Sequence, residues 1–436
     1  MKIWQLFFLL LFQFCLSQKS TCNNRLYFEF LQWHPQKCSS FQHFINSNRP
    51  IYILYDVNPF EGFNLRRDVY IRWAVFINHL RRNQIFRDVR LVLPPYPRLY
   101  HWKSISLNQE NLSWDLFFDL HSMKKFAPIL DYSEFLEEAK IFNPPSKRLT
   151  IEIDKTFQLQ HFENMFENGV FIDKFEYHNC SKKKGDFLQQ KNLETKHFLC
   201  LKFQGSASML TRVLKKELKA ATDPWPKLFL FLNGEIVLHD NWGNEEFWRA
   251  RRSMRFSKEL MNTAKDFRLR KLNSTDKYEG ISRPVNWMDE KEYRGALGGD
   301  YICAHLRRAA NQIKKILKEL NLKKIFIASD CSPFDFKNLK SYLPREKVFR
   351  FQVIDFHQRD LIKDGGIAII DQIICSRARY FIGTYESTFT YRIYEEREIL
   401  GFPKSTTFNT FCKNEDLSNC VKNAIWPIML LDGENL

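Results

Sequence analysis

In the loop at the centre of DVNPFEGFNLRRD (56–68) an acid, Glu61, stands between an aromatic residue and a glycine. Before it the run IYILYDV (51–57) is β-branched and aromatic, the composition of a buried strand. Behind it Val69, Trp73, Phe76, Ile77 and Leu80 recur at helical spacing over 65–80. Glu61 is therefore expected on a strand-to-helix loop, where open α/β sheets keep their ligand sites. Gly62 permits a turn or a close approach, and Asn64 stands where a helix N-cap is expected. The amides and positive dipole end behind it suit a phosphate. A carboxylate beside such a site is placed to act as a general base. The competing reading is a solvated loop acid at a helix start.

A second constellation is YICAHLRR (301–308). Alternation in a strand puts Tyr301, Cys303, His305 and Arg307 on one face, with His305 and Arg307 near the carboxyl end. Arg307 offers a planar, permanently charged fork for phosphate oxygens. The plainer alternative is a strand-end cluster paired with nearby acids.

The third is GGIAIIDQIICSRARYFIGTYESTFTYRIYEERE (365–398), in which Asp371 interrupts an apolar helical run. A buried carboxylate is costly without a partner. The N–H edge of a guanine would serve, and so would an internal Arg. Ser387 and Thr388 precede the last helix and form either a second anion site or a simple cap.

These residues need a scaffold, and the chain is long enough to supply one. It has 436 residues, 41 of them Phe, and a net charge of +16 that favours an anionic partner. Alternating strands and helices predict a parallel α/β architecture of two Rossmann-like domains facing across a cleft. Residues 18–50 read as a polar N-terminal segment. Residues 51–290 read as a first domain with an insertion around 140–200, and 291–436 as a second, nucleotide-binding one. The stretch 243–272 reads as a single charge-rich helix. No G-x-x-x-x-G-K-[ST] or G-x-G-x-x-G is present, so ATPase and dinucleotide readings lack their phosphate loops. Scattered basic residues without a binding motif argue against nucleic acid.

Residues 1–17 have the charge, apolar and small-residue order of a cleaved signal peptide, and no later run reaches about 20 apolar residues. Asn111, Asn179 and Asn273 begin N-x-Ser/Thr triplets, which suits the secretory route. Cys180 with Cys200 and Cys412 with Cys420 are expected as loop staples, with Cys22 and Cys38 a further pair. Cys303, Cys331 and Cys375 lie in or beside apolar runs and read as buried thiols.

Taken together, YDVNPFEGFNLRRDVYIR, LVLPPYPRLYHW, QGSAS, RRSMRF, KLNST, HLRR, DGGIAIIDQIIC and EEREILG resemble the GDP-fucose protein O-fucosyltransferase family, in the type 2 branch that modifies thrombospondin type 1 repeats. The resemblance spans about residues 52–420. It implies a GT-B fold, inverting transfer in the endoplasmic reticulum lumen, and no obligatory metal or cofactor beyond the donor GDP-fucose. It makes Glu61 the catalytic base. It assigns GDP-fucose binding to Phe60, Gly62, Phe63, Asn64, His305, Leu306 and Arg307, with Arg307 on the pyrophosphate. Asp371 would read guanine, and Ser387, Thr388 and Phe389 would support the β-phosphate. The sequence departs from the family after Arg308, where a further acid and a loop are missing and Ala310 stands in the acid's place. That departure sets a second expectation beside the first, a non-catalytic relative that binds sugar nucleotide or glycoprotein.

Overall fold

The computed structural model describes residues 50–142, 150–164, 166–167, 170–179, 193–220, 227–240, 242–305, 310–343, 346–353, 355–412 and 422–430. Two largely parallel sheets organise them. The first holds β1 (Ile51–Tyr55), β2 (Val89–Val92), β3 (Ile129–Leu130), β4 (Ile151–Gln160), β5 (Lys174–His178), β6 (Leu193–Gln204) and β7 (Lys227–Leu232), in the order β3-β2-β1-β7-β4-β6-β5. Its pairs are parallel except the edge pair β5–β6. All five residues of β1 are buried, as an unbroken apolar run in a sheet covered on both faces should be.

The second sheet holds β8 (Gly299–His305), β9 (Lys324–Ala328), β10 (Lys347–Phe349), β11 (Ala378–Gly383) and β12 (Asn409–Thr410), in the order β10-β9-β8-β11-β12, all parallel. In each sheet the chain leaves a central strand on one side and later returns on the other. The carboxyl ends of β1 and β8 are therefore the two switch points, where such sheets bind ligands.

The segment read as an insertion around 140–200 contains framework. β4 pairs with β6 and β7 inside the first sheet, so 151–160 and 193–204 belong to the domain's scaffold. The charge-rich stretch 243–272 is not one helix. It divides into α2 (Glu245–Ser253) and α3 (Lys258–Phe267), because the chain between them pairs elsewhere. Met254 leaves helical geometry, Asp119 N–H donates to Arg255 O at 2.9 Å, and Phe256 bridges Phe118.

The helices that matter for the cleft are α1 (Phe63–Leu80), α4 (Ala310–Glu319), α5 (Phe356–Ser376) and α6 (Thr388–Ile399). α5 is kinked at Lys363, which takes φ 60°. The next residue, Asp364, accepts the Ser104 N–H and hydroxyl at 2.9 and 2.6 Å and the Gln109 side-chain amide at 3.0 Å, which ties the first half to α5. In α6 four successive charged residues, Glu395, Glu396, Arg397 and Glu398, are no more than 1% exposed. Arg251 donates to both Glu395 and Glu396, Arg283 to Glu396 and Arg294 to Glu398. Arg397 donates to the carbonyls of Ser376, Ala378 and Thr406.

The cysteines depart from expectation at two places. Cys303 and Cys375, read as thiols, are bonded to each other, because β8 and α5 pack face to face with these Cα atoms 5.0 Å apart. Cys331 is a free thiol as read but is only half-buried, at the loop end beyond β9. Cys200 and Cys412 are disulfide-bonded, while Cys180, Cys420, Cys22 and Cys38 lie outside the described residues, as does the expected signal peptide. Asn111, Asn179 and Asn273 are exposed. Among the described residues no helix is long and apolar enough to cross a membrane.

Candidate active site

Glu61 lies on the loop between β1 and α1, half-buried at the switch point of the first sheet. The loop is held through its main chain. Glu61 N–H donates to Asn58 O at 2.9 Å, and Arg66 reaches back to the carbonyls of Val57, Asn58 and Glu61 at 3.4, 3.2 and 3.2 Å. Asp56 lies 3.7 Å from the same guanidinium. Glu235 Oε2 accepts the Asn58 N–H, and burial followed by the charge of Glu61 raises the Glu235 carboxyl above its ordinary range. The carboxylate of Glu61 can thus be used or exchanged without dismantling the turn that carries it.

The N-cap of α1 is Gly62 rather than Asn64, and no side chain caps the helix. Its φ of −77° suits any residue, and a Cβ there would meet nothing nearer than the His101 ring at 3.5 Å, so the fold does not demand a glycine. Close approach of a ligand would. No acid occupies the first turn, which leaves its amides and the dipole to an external anion. Phe60 is 85% exposed. Phe63 is buried, with its ring 5.1–5.7 Å from those of Tyr96, Phe117 and Trp102, so only its amide can serve a ligand.

At the second switch point His305 ends β8. Its Nδ1 lies 2.9 Å from Thr390 Oγ1, and its ring is 4.4 Å from Phe389. Thr390 Oγ1 accepts the Thr384 N–H, and the Thr384 hydroxyl donates to His305 O. Gly383 makes this knot possible, since a Cβ there would lie 2.4 Å from the Thr390 methyl. Ser387 occupies the N-cap position of α6 without a side-chain cap, and no acid lies in that first turn. The capping alternative for Ser387 therefore fails here, and Thr388 and Phe389 offer uncapped amides. Leu306 and Arg307 lie outside the described residues.

Asp371 lies in α5 and is 7% exposed, and its Oδ1 has no hydrogen-bond partner among the described residues. Burial pushes its carboxyl well above the ordinary range, and the Arg350 charge opposes this only in part. Among the described residues no Arg neutralises it by contact: Arg350 donates instead to Cys331 O. On the adjacent helix face Gln372 crosses to α1, donating to Asn64 Oδ1 at 2.8 Å and accepting from Arg67 at 2.6 Å. The structure therefore joins the Glu61–Asn64 loop to the helix of Asp371, and His305 to the start of α6.

The GDP-fucose protein O-fucosyltransferase model matches residues 52–311 and 308–400. GDP-fucose protein O-fucosyltransferase 2 of Drosophila melanogaster is 48% identical over 413 residues, covering 88% of this chain and 84% of that one. The Homo sapiens protein of the same name is 37% identical over 410 residues, covering 88% and 90%. The chain belongs to the GDP-fucose protein O-fucosyltransferase family. It is a glycosyltransferase. The solved structure of POFUT1 in complex with GDP superposes with a TM-score of 0.50 at 15% identity, over 84% of this chain and 98% of that one, and the fold is GT-B.

Several residues of this fucosyltransferase escaped the sequence reading. Arg66 and Gln372 stand next to recognised positions, yet their partners are carbonyls and amides with no sequence signature. Asn423 is another. It accepts the Glu386 N–H at 3.3 Å and donates to the Tyr394 hydroxyl at 3.3 Å, steadying the loop before Ser387. Three residues on, Trp426 packs its ring 5.4–6.0 Å from those of Trp242, Tyr391, Phe408 and Tyr394.

Proposed function

We propose that this chain transfers fucose from GDP-fucose to a Ser or Thr hydroxyl of a folded thrombospondin type 1 repeat, with inversion and Glu61 as general base. The acceptor oxygen attacks the anomeric carbon, its proton passes to Glu61, and the bond from that carbon to the β-phosphate oxygen breaks. GDP leaves toward the uncapped start of α6 and the Arg307 side of the cleft. Asp371 accepts from the guanine edge. The reading needs no divalent cation and places the reaction in the endoplasmic reticulum lumen.

The observation that carries it is Asp371. A carboxylate oxygen buried without a hydrogen-bond partner among the described residues is expensive, and a base edge with N–H donors relieves that cost. Family membership and the two uncapped helix starts at the switch points support the same reading.

A second reading, a relative that binds the nucleotide without transferring, draws on one observation. The family match divides into segments that overlap at 308–311, where the sequence lacks the acid and loop expected after Arg308. One experiment separates the two. The chain, and a version with the family's loop restored after Arg308, are incubated with GDP-fucose and a folded, disulfide-bonded repeat. Mass spectrometry then looks for one added fucosyl group. Transfer by the chain as it stands supports the first reading. Transfer only after restoration supports the second.

A further inference from the structure

Asn64, Arg67 and Gln372 form a triangle across the two halves. Arg67 donates to Gln372 Oε1 at 2.6 Å and to Asn64 Oδ1 at 3.3 Å, and Gln372 Nε2 donates to Asn64 Oδ1 at 2.8 Å. Arg67 is fully buried, and its guanidinium carbon is 5.3–5.9 Å from the rings of Phe118, Phe256 and Phe63. Gln372 is 1% exposed, whereas Asn64 is half-exposed.

Donor and acceptor rules fix every atom of this triangle. A guanidinium only donates, so the Gln372 atom facing Arg67 is Oε1. The remaining Gln372 atom, Nε2, also only donates, so Asn64 must present Oδ1 to it. The second Arg67 contact makes the same demand. Asn64 Nδ2 is then the atom left over, with two N–H groups and no partner among the described residues. It belongs to the first turn of α1, beside the uncapped amides of the Glu61 loop.

We propose that Gln372 is a positioning residue for the donor: it locks the Asn64 carboxamide with Nδ2 outward, where it donates to an oxygen of the nucleotide's diphosphate or sugar. This rests on the donor-site reading above. Gln372 touches no substrate and acts only through Asn64. Without it only the longer Arg67 contact, at 3.3 Å, opposes a turn of the Asn64 amide that presents a lone pair to the anion.

The test is calorimetry of GDP binding to the full chain, with KM for GDP-fucose and kcat measured alongside wherever transfer is detected. Gln372→Glu still accepts from Arg67 but offers Asn64 no donor, so the amide rotates to give Nδ2 to the new carboxylate. GDP binding should weaken roughly ten-fold or more, with any effect on transfer in KM rather than kcat. Asn64→Asp keeps both accepted bonds, removes Nδ2, leaves α5 unaltered and should show the same loss. In an Asn64→Ala background, Gln372→Glu should cost nothing further, because the two act as one unit. Binding by Gln372→Glu within two-fold of the parent overturns the proposal. So does a Gln372→Glu loss that persists in full without the Asn64 amide. If the parent itself binds no GDP, the donor-site reading has failed and takes this proposal with it.

Discussion

Cys303 and Cys375 are bonded to each other, and the bond joins the two elements that carry His305 and Asp371. His305 lies two residues beyond Cys303 on the same face of β8. Asp371 lies one helical turn before Cys375 on the same side of α5. The spacing between Asp371 and His305 is therefore set by a covalent link as well as by packing.

Replacing both cysteines by alanine should lower the stability of the fold. The bond closes a span of 72 residues, and a closure of that length contributes about 4 kcal/mol in the chain-entropy account. Urea unfolding checks this, and a free energy within about 1 kcal/mol of the parent rejects it.

Acid should unfold the chain through α6. Burial alone would raise the Glu396 carboxyl, but Arg283 and Arg251 outweigh it and hold it at about 2. A folded value below the unfolded one means stability present above about pH 4.5 and lost as pH falls toward 2. The shift corresponds to about 3 kcal/mol. Glu396→Gln should remove that part of the acid dependence and, by leaving buried guanidiniums uncompensated, cost about 3–5 kcal/mol at neutral pH. Stability curves of parent and variant that stay parallel between pH 5 and 3 would count against this.

Asp371→Asn should make the free protein more stable and the nucleotide complex weaker. The folded carboxyl sits above its unfolded range, so it opposes folding once pH exceeds the unfolded value, and an amide removes that penalty. The amide also presents one N–H group to the guanine donors, which should weaken GDP binding by roughly ten- to hundred-fold. Inosine diphosphate lacks the 2-amino group, so the parent should prefer GDP to it and the variant should not. An unchanged preference would remove Asp371 from base reading.

Glu61→Ala should abolish transfer by about 10²–10⁴-fold and leave GDP affinity nearly as it was. The loop depends on main-chain contacts to Asn58 and Arg66, so removing the side chain does not move the amides of α1. Transfer within a few-fold of the parent excludes Glu61 as the base.

Local pattern carried much of the architecture. The strand Ile51–Tyr55 and the helix Phe63–Leu80 fall where the apolar run and the helical spacing put them. Nonlocal pairing was hidden. β4 alternates apolar and polar residues behind a proline-rich stretch and looks like an excursion, yet its partner β7 is about seventy positions away and completes the sheet. Cys303 and Cys375 each sit in an apolar run, and only the packing of β8 on α5 reveals them as a pair. The charges of EERE lack helical periodicity because their partners, Arg251, Arg283 and Arg294, arrive from other segments. Glu61, His305 and Asp371 stood out because each is chemically odd for its surroundings. Gln372 and Asn423 did not, since an amide in a polar or apolar run is unremarked until its partner is seen.

The fastening at Asn423 and Trp426 has a consequence for synthesis. Each of these residues is made after the partners it fastens: Trp242, Glu386, Tyr391, Tyr394 and Phe408. A ribosome that has delivered both sheets has still not delivered the clasp over the loop before Ser387. The growing polypeptide can therefore collapse and form its internal crosslink while the loop before Ser387 remains unclasped, and that loop takes its final setting only once Asn423 and Trp426 emerge.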